Sequence, residues 1–193
     1  MIQSFIESML FYCMITLPIY VLLRFLWMRK RPTHKWREIM MLLFFCFSIS
    51  IFSQTILPAY WIENGRIVFQ IEQSLFLRHN FTPFRTISLY IAQLNGPLAE
   101  IAFYNLAGNI VLFIPFGFFI PLLWHKMRSM WKMLFMALAI PLFIESCQLF
   151  IGRSTDIDDV LLNTIAIIIG YILYDLAQIL RKKVVTIGES LLK

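Results

Sequence analysis

Residues 144–163 read IESCQLFIGRSTDIDDVLLN. An apolar run enters this stretch from Met130, and a second leaves it toward Leu180. Between them lies a polar break, Gly152 to Asp158. The pattern predicts a helix, a tight connection and a second helix. Each flanking run approaches the ~20 residues needed to cross a bilayer. The break and its edges carry Glu145, Gln148, Arg153, Asp156, Asp158, Asp159 and Asn163. Ionisable groups at membrane depth are costly unless paired, so they mark candidate functional positions.

The rest of the chain supports this environment. It is 193 residues long, 60% hydrophobic and 15% charged, and no soluble domain of that length hides so much apolar surface. Apolar runs predict spans over Ile2–Leu26, Ile39–Leu57, Tyr104–Trp124, Met130–Ile151 and Asp159–Leu180. The fold class is therefore all-α: a polytopic membrane helix bundle of about five transmembrane helices, one integral membrane domain over residues 1–193. Residues 58–103 are too polar and too interrupted to add a span. Nineteen Phe and five Trp suit lipid-facing and interfacial positions. The first run is not a cleavable signal peptide, because Glu7 stands where Lys or Arg would be expected.

The net charge of +6 is spread in short clusters between apolar runs. That placement reads as topology and excludes nucleic acid as a partner. One side collects Arg24, Arg29, Lys30, Arg31, Lys35, Arg37, Lys126, Arg128, Lys132, Arg181, Lys182, Lys183 and Lys193, and the other Arg66, Arg78, Arg85 and Arg153. The ratio of 13 to 4 predicts an outer N-terminus and a cytoplasmic C-terminus. Loop 58–103, the Gly152–Asp158 connection and the polar helix ends then share the outer side. Cys13, Cys46 and Cys147 lie singly inside apolar runs, with no disulfide or zinc spacing.

Within the loop, YWIENGRIVF at 60–69 predicts a short hairpin turning at Asn64-Gly65. The following RHNFTPFRTISLYIAQL predicts an amphipathic helix capped by Thr82, with Pro83 at its first position. Asn80 and Arg85 would hang near the outer ends of the spans.

The polar residues have bland and sharp readings. Asn105 and Asn109 share a helix face and would hold the bundle by hydrogen bonds, with Gly108 allowing close backbone approach. Glu145 and Gln148 also share a face; Glu145 is a salt-bridge partner for Arg153 or Arg85, a general base or a cation ligand. Asp156, Asp158 and Asp159 stand where the last helix starts and would cap it, with Asp158 in the capping role. Three acids so close repel unless Arg153 or a divalent metal sits among them. Asp159 and Asn163, four apart, face the same way. His34, His79 and His125 are isolated bystanders.

Three segments together resemble the VanZ-like family of bacterial membrane proteins: HNFTPFRTI at 79–87, NLAGNIVLFIPFGFFIP at 105–121 and IESCQLFIGRSTDIDDVLLNTIAIIIGY at 144–171. The matching positions are Asn80, Pro83, Phe84, Arg85, Asn105, Gly108, Asn109, Pro115, Gly117, Glu145, Gln148, Gly152, Arg153, Asp156, Asp158, Asp159, Asn163 and Gly170. They make a motif-bearing core of about 79–175. Ala166 and Ile167 depart, standing where the family commonly shows a small residue and Gly. The resemblance implies a Gram-positive cell-envelope protein linked to teicoplanin-type glycopeptide and lipoglycopeptide resistance.

The expected site is Asn80, Arg85, Asn105, Asn109, Glu145, Gln148, Arg153, Asp156, Asp159 and Asn163. Its arginines would engage an anion on a lipid-linked cell-wall precursor, a lipid head group or a lipoglycopeptide. Two alternatives are an enzyme and a flippase. In the first, Glu145, Asp156 and Asp159 would hold Mg²⁺ and activate water against a lipid-linked pyrophosphate. The second would need dimerisation, since five spans show no internal repeat.

Overall fold

In hydrocarbon a backbone must satisfy its own N–H and C=O groups, so apolar runs become helices. The computed structural model describes residues 2–28, 34–56, 59–63, 66–70 and 79–191. The elements are α1 (Ile2–Met28), α2 (Lys35–Thr55), β1 (Ala59–Glu63), β2 (Arg66–Gln70), α3 (Arg85–Gln93), α4 (Ala99–Leu123), α5 (Met130–Phe150) and α6 (Ile157–Leu191). A 3₁₀ turn, His125–Met127, precedes α5. Among the described residues, α2, α4, α5 and the Ile157–Val184 part of α6 are long and apolar enough to cross a membrane; α1 holds a shorter apolar stretch, Leu10–Leu26. The helix bundle expected from the apolar runs is therefore present, and the chain is a multi-pass membrane protein.

α4 and α6 outrun their predicted spans furthest. α4 starts at Ala99 rather than Tyr104. α6 continues past Leu180 to Leu191. At 1.5 Å per residue its 35 residues reach about 52 Å, against a hydrocarbon core of about 30 Å. Arginine and lysine are good helix formers, so Arg181, Lys182 and Lys183 prolong the helix where its apolar character stops.

The chain divides into two compact units, and the division falls inside α5 beside Pro141. The first holds residues 1–79 and 143–155. Here α1 packs on α2, with the Tyr20 and Phe45 rings stacked at 4.2 Å between centroids. Arg24 forks onto Glu38, Nε to Oε2 and Nη2 to Oε1, both at 2.6 Å. This bidentate geometry is the strong form of an ion pair. β1 and β2 pair antiparallel from Ala59 opposite Gln70 to Glu63 opposite Arg66. Those are the strands of the expected hairpin; the Asn64-Gly65 turn lies outside the described residues.

The second unit holds residues 80–142 and 156–193. Its centre is the α4 and α6 contact. Gly117 and Gly170 make that contact: a Cβ on Gly117 would overlap the Ile167 carbonyl, and one on Gly170 the Ile114 carbonyl. Small residues that let backbones touch are the usual glue between helices in lipid. Gly108, expected to serve this purpose, does not, since a Cβ there would meet nothing within 4 Å. The departure at Ala166 and Ile167 leaves the contact tight; both are fully buried. α5 joins through Thr164, whose hydroxyl donates to the Ala137 carbonyl at 3.0 Å. At the far end of α4, Arg128 donates from Nε to the Pro121 carbonyl at 3.2 Å and lies 5.9 Å from the Tyr174 ring centre. Tyr171 donates to the Arg128 carbonyl at 2.8 Å.

Candidate functional site

The first turn of α3 is built by a residue far away in sequence. Phe84 precedes the helix with φ 65°, in the left-handed region. Thr82 is therefore not the cap and Pro83 not the first helical residue, as the sequence had suggested. No side chain of the N-cap residue itself satisfies the open amides. Asp158 does so from α6. Its Oδ1 accepts from Phe84 N–H at 2.6 Å, and its Oδ2 from Thr86 and Ile87 N–H at 2.7 and 3.1 Å. The carboxylate is fully buried. Three amides at the positive end of a helix dipole compensate its charge, and no arginine is needed. Asp158 thus caps a helix, as expected, but α3 instead of α6.

Asp156 takes the α6 cap. It stands just before Ile157, and its Oδ1 accepts from the Asp158 N–H at 2.9 Å. The same carboxylate joins α6 to the segment before α3. Asn80 donates to Asp156 Oδ1 at 2.8 Å and Thr86 to Oδ2 at 2.5 Å, while Asn80 also donates to Thr86 at 3.0 Å. The Ile157 N–H donates to the Asn80 carbonyl at 2.9 Å, in an isolated parallel bridge. Asn80 Oδ1 turns back to the Thr82 N–H at 3.1 Å. Thr86 was not among the expected residues. Nothing in its local spacing distinguishes it from any hydroxyl in a first helical turn.

Asp159, one residue past Asp158, belongs to a different set. Asn109 on α4 donates to its Oδ1 at 2.7 Å. Asn163, one turn along α6, is 6% exposed, and its Oδ1 has no hydrogen-bond partner. Asn105 does not join them; it is exposed and donates to the Ile101 carbonyl of its own helix at 2.8 Å. Tyr90 on α3 senses this neighbourhood: burial pushes its phenol above the usual range, and the Asp159 and Asp156 carboxylates push the same way. The Arg85 guanidinium at the start of α3 is exposed.

The remaining expected residues lie in the first unit. Gly152, at φ 76°, ends α5 in a Schellman motif. Its N–H donates to the Leu149 carbonyl at 3.3 Å, and the Arg153 N–H to that of Gln148 at 2.9 Å. This turn aims Arg153 at the last carbonyls of α2. Its Nη1 donates to Gln54 and Thr55 carbonyls at 3.0 and 3.2 Å, and Gln148 adds a bond to Thr55 at 3.0 Å. A guanidinium suits the negative end of a helix dipole. Within this unit, Arg153 bonds to the α2 carbonyls rather than to Glu145 among the described residues. Glu145 stands half-buried on α5, one turn before Gln148. His79 is not isolated: its Nδ1 lies 2.9 Å from the Thr155 hydroxyl.

A family model described as VanZ/LLP1 matches residues 60–178. The chain belongs to the VanZ/LLP1 family. No curated protein and no solved structure matches it. The VanZ/LLP1 match spans both polar groups just described, from the hairpin to the buried part of α6. Chemically, the Asp156 and Asp158 carboxylates are occupied by donors of the chain itself. Among the described residues, no group of three or more His, Cys, Asp or Glu side chains is placed to hold a metal ion. Among the described residues, Asp159, Asn109 and Asn163 keep unspent hydrogen-bonding capacity.

Proposed function

We propose that this VanZ-like membrane protein binds a lipid-linked or cell-wall ligand at the outer membrane face, and so lowers susceptibility to teicoplanin-type antibiotics in a Gram-positive envelope. The observation that carries the reading is the Asp159 carboxylate. It sits on a helix long and apolar enough to cross a membrane, one turn from a buried amide oxygen with no partner. Purely structural polar groups are expected to be fully satisfied, as Asp156 and Asp158 are. Unspent polarity at membrane depth marks a ligand position. The charge count of 13 against 4 puts the α6 N-terminal end outside, where lipid-anchored glycopeptides act.

The test is teicoplanin susceptibility of a Gram-positive host producing the wild type, Asp159→Asn or Glu145→Gln, with membrane abundance measured in parallel. Protection by the wild type that Asp159→Asn loses at equal abundance supports the reading. Equal protection by both variants leaves the polar groups as helix glue and removes it.

A further inference from the structure

We propose that Asp159, Asn163 and Asn109 bind a compact monovalent cation between α4 and α6: an alkali ion, or a primary ammonium group carried by a ligand. The inference deepens the function proposed above and rests on its reading of these residues as a ligand position.

Three observations converge. Asn163 is almost wholly buried, yet its Oδ1 has no partner. Asp159, one turn away on the same face, receives a single neutral N–H, from Asn109. No cationic side chain lies against it among the described residues. Asn109 spends its Nδ2 on that bond, which leaves its oxygen without a partner among the described residues. The unspent atoms are thus all acceptors: Asp159 Oδ2, Asn163 Oδ1 and Asn109 Oδ1. Such a set repels anions and offers three oxygens with one net negative charge. An ammonium presents three N–H donors, and an alkali ion takes the same oxygens. Divalent cations recruit six or more oxygens and usually several carboxylates, which this set lacks.

The place is also prepared. Gly117 and Gly170 lock α4 to α6 further along the pair, and Asp156 and Asp158 tie down the α6 N-terminus. The acceptors are therefore held before any ligand arrives, which lowers the ordering cost of binding.

The test uses the full-length protein in detergent micelles. The thermal unfolding midpoint is followed as N-methylglucamine chloride is replaced by sodium, potassium or methylammonium chloride at constant total concentration. The wild type is expected to show a saturable rise. Asp159→Asn should abolish it, and Asn163→Leu should raise the half-saturating concentration by about tenfold or more. Asn163→Asp adds a second carboxylate and should transfer the response to Ca²⁺, a gain that holds even if Asn163→Leu fails to accumulate. A response to the metal ions alone assigns a bare ion, and one to methylammonium alone assigns an ammonium head group; both support the site. A wild type indifferent to all three cations overturns it, as does a response unchanged in Asp159→Asn. Loss of teicoplanin protection in Asp159→Asn, without any cation response in the wild type, overturns this inference and leaves the functional reading standing.

Discussion

Asp158 on α6 accepts a hydrogen bond from the Phe84 N–H at 2.6 Å, across 74 residues of chain. One side chain therefore completes a helix to which it does not belong. Capping side chains contribute about 0.5–2 kcal/mol, and hydrogen bonds to charged groups about 1.5–3 kcal/mol. Asp158→Ala removes the acceptor from three amides and should cost about 2–4 kcal/mol by the same principles. The Thr86 and Ile87 amides should then exchange with deuterium far faster than in the wild type. Unchanged protection at both would show that α3 has another cap.

Phe84 holds φ 65° without being glycine. The left-handed region costs an ordinary residue about 1–2 kcal/mol, Asn less, and a β-branched residue most. Phe84→Asn should keep the unfolding midpoint, while Phe84→Val should lower it. The ring is 65% exposed, so lost packing contributes little to either change. Equal midpoints for the two variants would contradict the backbone assignment.

Gly117 and Gly108 make opposite predictions on one helix. Gly117→Ala places a methyl on the Ile167 carbonyl and must push α4 and α6 apart. It should lose folded yield in detergent. Gly108→Ala meets nothing within 4 Å and should gain up to about 1 kcal/mol from helix propensity alone. Reversed outcomes would place the close helix crossing at the wrong glycine.

Arg153 and Gly152 act together at the end of α5. Gly152→Ala forces a Cβ into φ 76° and should cost about 1–2 kcal/mol. Arg153→Lys keeps the charge but has a shorter reach and a compact ammonium in place of the guanidinium Nη1 that serves both carbonyls. It should destabilise less than Arg153→Ala. The comparison is made on midpoints in matched detergent.

The helices were legible because the length and apolarity of a run set its fate in lipid, and the hairpin strands because they flank Asn64-Gly65. Asp156, Asp159, Asn80 and Asn109 were legible for the complementary reason: polar groups are rare in such a chain. Partnership was not. Asp158 displayed its capping chemistry, yet open amides look alike at every helix start, and spacing along α6 says nothing of α3. Arg153 suggested a partner for the acids by charge, whereas the carbonyls ending α2 offered it an equally negative target. Gly108 and Gly117 cannot be separated by sequence at all, since only the neighbouring helix decides which glycine it touches.

The Asn80 and Asp156 pairing, 76 residues apart, also orders events in time. Contacts so distant in sequence form slowly, because a long loop must close before they return any energy. α3 is synthesised well before α6 but receives its cap only when Asp158 arrives. Until then its first amides and the left-handed Phe84 lack their anchor. The start of α3 is thus completed only after α6 has been made, and the N-terminal start of α6 serves as its latch.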